Sequence, residues 1–207
     1  MAEMPNISPD EFKRGYLAFQ KHVHRPSWYK TATVLVRHSW GDPREMADGI
    51  AVLLLTWNKR FYKYGSFDFD RLEEALRRNM GVIEGLRARH IQSLVVADEP
   101  IIRQLFLDFL EALRIKEGKK TKDRPMVAVA KALHLLAPDF LPIWDRKIAR
   151  AYTGSYYSNP DHKYVAFAYK MQHLARQLHE HVPPNGGRTF LKLIDEYNYS
   201  RYTKRWI

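Results

Sequence analysis

Apolar side chains recur at helical spacing along most of the chain, and proline or glycine lies near most points where the pattern breaks. Two of the periodic segments open with the same start signal, SPDE from residue 8 and DPRE from residue 42. A side-chain oxygen just before a proline, with a glutamate three residues after it, satisfies the first backbone N–H groups of a helix. We therefore expect helices to begin at both places, the first running to about His24.

Further helical patterns cover most of the remaining sequence. They span about Trp28 to His38, Phe69 to His90, Pro100 to Ile115, Arg124 to Leu136, Arg146 to Tyr152, Asp161 to His179 and Thr189 to Tyr197. The stretch TATVLVRHSW also fits a strand, but no second stretch offers it a partner. The sequence predicts an all-α fold, a compact bundle of eight or nine short helices in one domain over residues 1–207, with a cleft between two lobes.

One predicted helix, RPMVAVAKALHLLA, has apolar residues all around its axis, which indicates a helix buried on most sides. Its only interior polar residues, Lys131 and His134, are three positions apart and share one face. Two interpretations are open. Either Lys131 reaches the surface while His134 is satisfied inside the core, or both line a pocket at the centre of the protein.

A basic loop, EGKKTKDRP, precedes this helix. It places Lys119, Lys120, Lys122 and Arg124 near the N-terminus of the helix, where backbone N–H groups and the helix dipole favour an anion. We expect this loop to bind a phosphate.

The composition and net charge of the chain indicate which kind of molecule it binds. The 207 residues include 34 Lys and Arg against 23 Asp and Glu, which gives a net charge of +11. Basic residues cluster with aromatic ones in NKRFYKYG, WDRKIARAY and YNYSRYTKRWI. An excess of positive charge of this kind is typical of nucleic-acid binding.

Several other classes of site are not favoured. The chain has no cysteine, so disulfides and thiolate sites are excluded. It has no His-Glu-x-x-His zinc pair, no Gly-x-x-x-x-Gly-Lys loop and no clustered carboxylates of a two-metal nuclease, and we expect no metal and no cofactor. No stretch reaches the roughly 18 apolar residues of a membrane span, and no leader pattern is present. We expect a cytoplasmic location, no membrane and no obligate protein partner.

Asp145 lies between a Pro-Ile-Trp turn and a basic helical run in FLPIWDRKIARAYTG. Such an aspartate is either a plain helix cap or a carboxylate that does chemistry beside a polyanion. The segment KKTKDRPMVAVAKALHLLAPDFLPIWDRKIARAYTG, residues 119–154, resembles the hairpin, catalytic helix and Pro-x-x-Asp turn of the helix-hairpin-helix DNA glycosylases. The earlier GIAVLLLTWNKRFYK is similar to the helix with which these enzymes contact the gap left by an extruded base.

The resemblance implies an enzyme that flips a modified or damaged base out of double-stranded DNA and excises it, leaving an abasic site. Asp145 would stabilise the positive charge that develops on the sugar and would activate water. The implied base pocket consists of Trp144, Trp57 and Tyr156, with His134 or Lys131 hydrogen-bonding the base or its substituent. For each aromatic residue, ordinary packing in the core is the alternative. Asn58 would fill the vacated position in the duplex. The implied DNA contacts are Lys119, Lys120, Lys122, Arg124, Arg146 and Lys147.

The sequence departs from the family pattern at two points. It lacks the Gly-x-Gly of the hairpin, so lysines would take its place. Bifunctional members carry a Schiff-base lysine at a position that corresponds to about Val127, whereas Lys131 lies a turn further along. A monofunctional enzyme that uses water is therefore favoured, and lyase activity through Lys131 is the alternative.

The chain also resembles a divergent branch of this superfamily that is associated with phage defence. That resemblance implies excision of a hypermodified base such as glucosylated hydroxymethylcytosine, and a damaged base is the alternative substrate. A different class of function also fits the sequence, a non-catalytic DNA- or RNA-binding module. In such a module Asp145 caps a recognition helix that starts at Arg146.

Overall fold

The computed structural model describes residues 6–23, 26–63, 65–118, 121–155, 157–181 and 188–207. Over these residues the fold is all-helical, which confirms the predicted class. The α-helices are α1 (Pro9–His22), α2 (Ser27–His38), α3 (Pro43–Trp57), α4 (Phe69–Arg87), α5 (Glu99–Ala112), α6 (Met126–Leu136), α7 (Arg146–Thr153), α8 (Pro160–Leu178) and α9 (Phe190–Asn198). Short 3-10 turns lie at Ile91–Ser93, Val96–Asp98 and His179–His181, and α9 continues into a π-helical turn at Tyr199–Lys204.

Both predicted start signals act as helix caps. The hydroxyl of Ser8 accepts a hydrogen bond from the backbone N–H of Glu11 at 3.2 Å. Oδ1 of Asp42 accepts from the N–H groups of Arg44 and Glu45 at 3.0 and 3.3 Å. The two side chains thus satisfy N–H groups that have no partner within their own helices.

Helix ends differ from the predicted ones by a few residues. The predicted helix from Arg124 begins at Met126, because Pro125 occupies the cap position and the residue before a proline avoids helical geometry. The helix predicted to reach His90 ends at Arg87. The ambiguous stretch TATVLVRHSW lies in α2 and the turn that follows it.

The first helix is tied to the end of the chain. The carboxylate of Glu11 accepts a hydrogen bond from the hydroxyl of Tyr197 at 2.7 Å and forms an ion pair with Arg201. The helices α1 and α9 also pack against each other. The last helix therefore has a fixed position beside the first.

As the sequence indicates, α6 is buried on most sides. Every residue of this helix except Val127 is buried, and α2, α3 and α5 pack around it. The start of α7 packs beside the π-helical turn, and α9 lies against α1 and α8. This arrangement brings the end of α3, the approach to α6, the start of α7 and α9 to one place. None of the helices in the described ranges has the length and apolar character needed to cross a membrane.

Candidate active site

A cavity of about 1070 Å³ lies where these four parts of the chain meet. Several residues that the sequence singles out line this cavity, namely Trp57, Asn58, Lys122, Arg124, Lys131, Asp145, Arg146 and Lys147. They come from three separate segments of the chain. The fold therefore brings the end of α3, the basic loop with α6, and the start of α7 to a single site.

Asp145 is half-buried in the wall of this cavity and caps α7. Its Oδ1 accepts hydrogen bonds from the backbone N–H groups of Lys147 and Ile148 at 2.7 and 2.8 Å. Its Oδ2 accepts a hydrogen bond from the hydroxyl of Thr203. The two interpretations of this aspartate are compatible, because the carboxylate both caps a helix and faces the cavity.

Thr203 was not singled out by the sequence. It lies in the π-helical turn, and besides donating to Asp145 it accepts a hydrogen bond at its carbonyl from the ammonium of Lys147, at 2.9 Å. The end of the chain thus holds both the carboxylate and the first turn of α7. No local signal reveals this contact, since 58 positions separate Thr203 from Asp145.

Lys131 projects from α6 into the cavity and is 8% exposed. Its ammonium donates to Oδ1 of Asn58 at 2.6 Å and to the carbonyl of Trp57 at 3.4 Å. Burial lowers the pKa of Lys131 to about 8, although the carboxylates of Asp145 and Asp195 act in the opposite direction. The amine is therefore much closer to neutrality at physiological pH than an ordinary lysine.

A second buried lysine faces the same cavity. Lys192 on α9 is 1% exposed and donates to Oδ2 of Asp195 at 2.6 Å, and both residues line the cavity. Its ammonium lies 4.9, 5.1 and 5.9 Å from the ring centroids of Phe19, Tyr29 and Trp57. These distances are within the range of cation–π attraction. The sequence predicts the helix that carries this pair, but gives no signal for its place in the site.

Two residues assigned to the base pocket lie in the core instead. His134 is fully buried, with Nε2 hydrogen-bonded to the hydroxyl of Tyr29 at 2.9 Å and Nδ1 to the carbonyl of Leu141 at 2.8 Å. Trp144 is also fully buried, and its indole N–H donates to the carbonyl of Met126 at 3.2 Å. Neither residue lines the cavity. Of the two interpretations of the α6 face, the structure places Lys131 at the pocket and His134 in the core.

The mouth of the cavity is basic. The exposed cations around it are Lys59, Arg60, Lys122, Arg124, Arg146 and Lys147. One exposed acidic residue, Asp123, lies among the lining residues at this mouth. Predicted residues Lys119, Lys120 and Tyr156 lie outside the described residues.

The walls carry aromatic rings beside these charges. Trp57 stacks on Tyr29 with ring centroids 5.9 Å apart, and Tyr199 and Tyr157 also line the cavity. Flat apolar surfaces next to fixed hydrogen-bonding groups suit a planar heterocyclic ring.

No family model, no curated protein and no solved structure matches this chain.

Proposed function

We propose that the protein is a DNA N-glycosylase that extrudes a modified or damaged base and hydrolyses its bond to deoxyribose. One observation carries this proposal. A half-buried carboxylate, Asp145, lies in the wall of a large aromatic-lined cavity whose mouth is ringed by exposed cations. A cationic rim suits the phosphates that flank a target nucleotide, and the cavity accepts the base.

The volume of the cavity supports a base that carries a substituent. At about 1070 Å³ it lies just above the roughly 300–1000 Å³ usual for sites that hold drug-sized ligands. Both substrate alternatives, a damaged base and a hypermodified cytosine with a sugar substituent, remain in the proposal.

In the proposed reaction the bond between C1′ and the base nitrogen breaks, and its electron pair leaves with the base. Positive charge then develops on the sugar, and the carboxylate of Asp145 stabilises it. A water molecule adds its oxygen to C1′ and gives one proton to Asp145. The departing base takes up the proton that Asp145 releases through solvent, so that the carboxylate is regenerated and the products are the free base and an abasic site.

Lys131 has a hydrogen-bonding role in this scheme. A group with a pKa of about 8 is mostly protonated at pH 7, so its ammonium donates to the base rather than attacking the sugar. This supports a monofunctional enzyme. Lyase activity through the neutral amine of Lys131 is the competing outcome, and it should grow as the pH rises above 8.

The proposal is tested by abasic-site formation. Purified protein is incubated with plain duplex DNA, with duplexes that carry oxidised or alkylated bases, and with phage DNA that contains glucosylated hydroxymethylcytosine. Strand cleavage only after treatment with an abasic-site endonuclease is expected on one of these substrates. Cleavage without that treatment, together with borohydride trapping of the protein on DNA, would identify Lys131 as a Schiff-base nucleophile. The absence of abasic sites on every substrate would overturn the assignment.

A matched pair of variants separates catalysis from capping. Asp145→Asn keeps a capping side chain, and we expect it to lose at least about 100-fold in excision rate while retaining DNA binding. Asp42→Asn is the control, because Asp42 caps α3 with the same kind of contacts and does not line the cavity. Its excision rate should match that of the unmodified protein.

A second candidate function is a non-catalytic module that binds DNA or RNA through α7. The observation that favours it is the exposure of Arg146, Lys147 and Arg150 on this short helix. In that case Asp145→Asn changes neither affinity nor the products. Replacing Arg150, which does not line the cavity, weakens binding as much as replacing Arg146 does.

A further inference from the structure

The Lys192–Asp195 pair has no part in the reaction described above, although it faces the same cavity. Lys192 is 1% exposed and Asp195 is 7% exposed, so both charges are almost fully withdrawn from bulk water. Their hydrogen bond of 2.6 Å fixes the ammonium and the carboxylate side by side. Being three residues apart on α9, the two side chains share one face of the helix.

Stability alone does not account for this pair. Withdrawing two charges from water costs several kcal/mol, and apolar residues of similar volume often serve a core as well or better. Glu196 adds a second carboxylate 3.8 Å from the ammonium of Lys192, and burial raises the pKa of Glu196. Glu196 does not line the cavity, whereas Lys192 and Asp195 do.

The two cavity-facing groups have opposite hydrogen-bonding characters. An ammonium only donates and an ionised carboxylate only accepts. Side by side, the ammonium of Lys192 and the carboxylate of Asp195 match the edge of a heterocyclic base that has a hydrogen-bond acceptor next to a donor. The aromatic rings of Phe19 and Trp57 near Lys192 line the cavity as well, and they provide flat surfaces beside that edge.

Among the buried charged side chains that line the cavity in the described part of the chain, two are ammonium groups and one is a carboxylate. Lys131 adds a second ammonium, and Asp145 is committed to the cap of α7 and to the sugar. Asp195 is then the carboxylate that remains for the base. The amino group of a base is one more hydrogen-bond donor, and the two ammonium groups cannot accept from it. A carbonyl oxygen of a base has two lone pairs, and these can accept hydrogen bonds from the ammonium groups.

We propose that Lys192 and Asp195 form the base-reading pair of the site and select a base with a carbonyl group next to a ring N–H. In this arrangement Lys192 donates to the carbonyl oxygen and Asp195 accepts from the ring N–H. Bases with an amino group next to an unprotonated ring nitrogen are disfavoured, so of the two substrate alternatives above the pair favours a damaged base over a hypermodified cytosine. This inference rests on the proposed function for its substrate, but it concerns binding and its test needs no chemistry.

The test uses two pairs of nucleotides that differ only at this edge. Short single-stranded oligonucleotides carry one central base, either hypoxanthine or adenine in one pair, and either uracil or cytosine in the other. A fluorine at the 2′ position of that nucleotide disfavours positive charge on the sugar, so the bond to the base survives the measurement. Dissociation constants are measured by calorimetry.

We expect hypoxanthine to bind roughly tenfold or more tightly than adenine, and uracil to exceed cytosine by a similar factor. The double variant Lys192→Met/Asp195→Asn removes both charges together, and Glu196 keeps its ion pair with Arg188 at 3.3 Å. The double variant should bind all four oligonucleotides with similar affinity. The control Glu196→Gln changes an adjacent buried carboxylate that does not face the cavity, and it should keep the preference.

Equal affinity of the unmodified protein for the members of each pair would overturn the inference, and so would a preference for the amino bases. Retention of the preference in the double variant would also overturn it. Circular dichroism and thermal unfolding establish whether each variant is folded. If the double variant does not fold, Asp195→Asn alone should weaken the preference that Glu196→Gln keeps, and an equal preference in these two variants would overturn the inference. Failure of the proposed function is a separate result, since it appears as absence of abasic sites whatever the binding preference.

Discussion

At the scale of single residues, the position of the Asp145 carboxylate depends on one side-chain contact in addition to its backbone ones. The backbone N–H groups of α7 hold Oδ1, and the hydroxyl of Thr203 holds Oδ2. Only the second contact can be removed by a side-chain substitution that leaves the cap intact. Thr203 is therefore a positioning residue in the proposed mechanism.

Thr203→Val removes this hydroxyl and keeps the branched shape of the side chain. We expect the single-turnover rate of excision to fall roughly tenfold, because a carboxylate that loses one fixed hydrogen bond is less well oriented. DNA affinity should stay the same. Thr203→Ser, which keeps the hydroxyl, should restore most of the rate. Equal losses in the valine and serine variants would contradict a positioning role.

The pKa of Lys131 leads to a prediction about stability. Burial lowers this pKa from 10.5 in the unfolded chain to about 8, so the folded protein binds fewer protons between these values. Lys131 therefore destabilises the folded state most below pH 8, and this destabilisation becomes smaller as the pH rises above 8. We expect a gain of about 2 kcal/mol between pH 7 and pH 9.5 relative to Lys131→Met. Urea denaturation of both proteins at each pH measures this gain, and parallel pH profiles would contradict it.

At the scale of the elements, His134 joins three parts of the fold. It lies on α6, contacts Tyr29 on α2, and contacts Leu141 in the turn after α6. The carbonyl of Leu141 can only accept, so Nδ1 carries the proton and the hydroxyl of Tyr29 donates to Nε2. Protonation of the ring would place a second N–H against that hydroxyl inside the core.

This linkage makes the helices sensitive to acid. Burial is the main cause that lowers the pKa of His134 from 6.5 to about 3. Because the pKa of His134 is lower in the folded state than in the unfolded chain, its contribution to the free energy of unfolding is fully present above pH 6.5. This contribution is lost as the pH falls towards 3. Between pH 7 and pH 4 we expect His134 to account for a loss of about 3 kcal/mol in the free energy of unfolding.

The measurement compares chemical denaturation of the unmodified protein and His134→Gln across this range, and the variant should have the flatter profile. NMR of the ring nitrogens gives an independent check in the unmodified protein. They should keep the pattern of one neutral tautomer down to pH 4.5. A His134 that titrates near pH 6.5 would contradict the burial argument.

The helices themselves could be predicted from the sequence because their signals are local. A cap residue and its proline lie within a few positions of the helix that they start, as at Ser8 and Asp42. The burial of α6 follows from its apolar composition alone. Boundaries were less exact where a proline moved the start, as at Pro125, because the rest of the apolar pattern continues across it.

At the scale of the whole molecule, the cations around the mouth of the cavity predict how affinity depends on salt. Six exposed Lys and Arg residues line this rim in the described part of the chain. If each neutralises one phosphate, the logarithm of the binding constant should fall with the logarithm of salt concentration with a slope of about −5.

Fluorescence anisotropy with duplex DNA at several salt concentrations measures this slope. Arg124→Gln should lower its magnitude by about 1. Arg78→Gln is the control, because Arg78 is an exposed residue of α4 that does not line the cavity. A slope near zero would contradict binding through phosphates.

The site could be predicted only in part, because it is assembled over long distances in the chain. Asp145 and Lys131 were found through the pattern of one continuous segment, and the structure places both at the cavity. Lys192 and Thr203 come from a distant part of the chain, and nothing in their own surroundings marks them. The core position of Trp144 could not be distinguished from a pocket position, because an aromatic residue beside a candidate catalytic aspartate has the same sequence pattern in both cases.

The contact between Glu11 and Tyr197 spans 186 positions, and it bears on how the protein is made. At roughly 5–20 residues per second, α1 leaves the ribosome about 10 to 40 seconds before its partner helix exists. During that interval the apolar face of α1 lacks the helix that buries it. Chaperones bind nascent chains that expose apolar surface in this way. Lys192, which lines the cavity, lies on α9, and α9 is synthesised last of the α-helices described. The cavity therefore cannot be complete while the earlier helices are being translated.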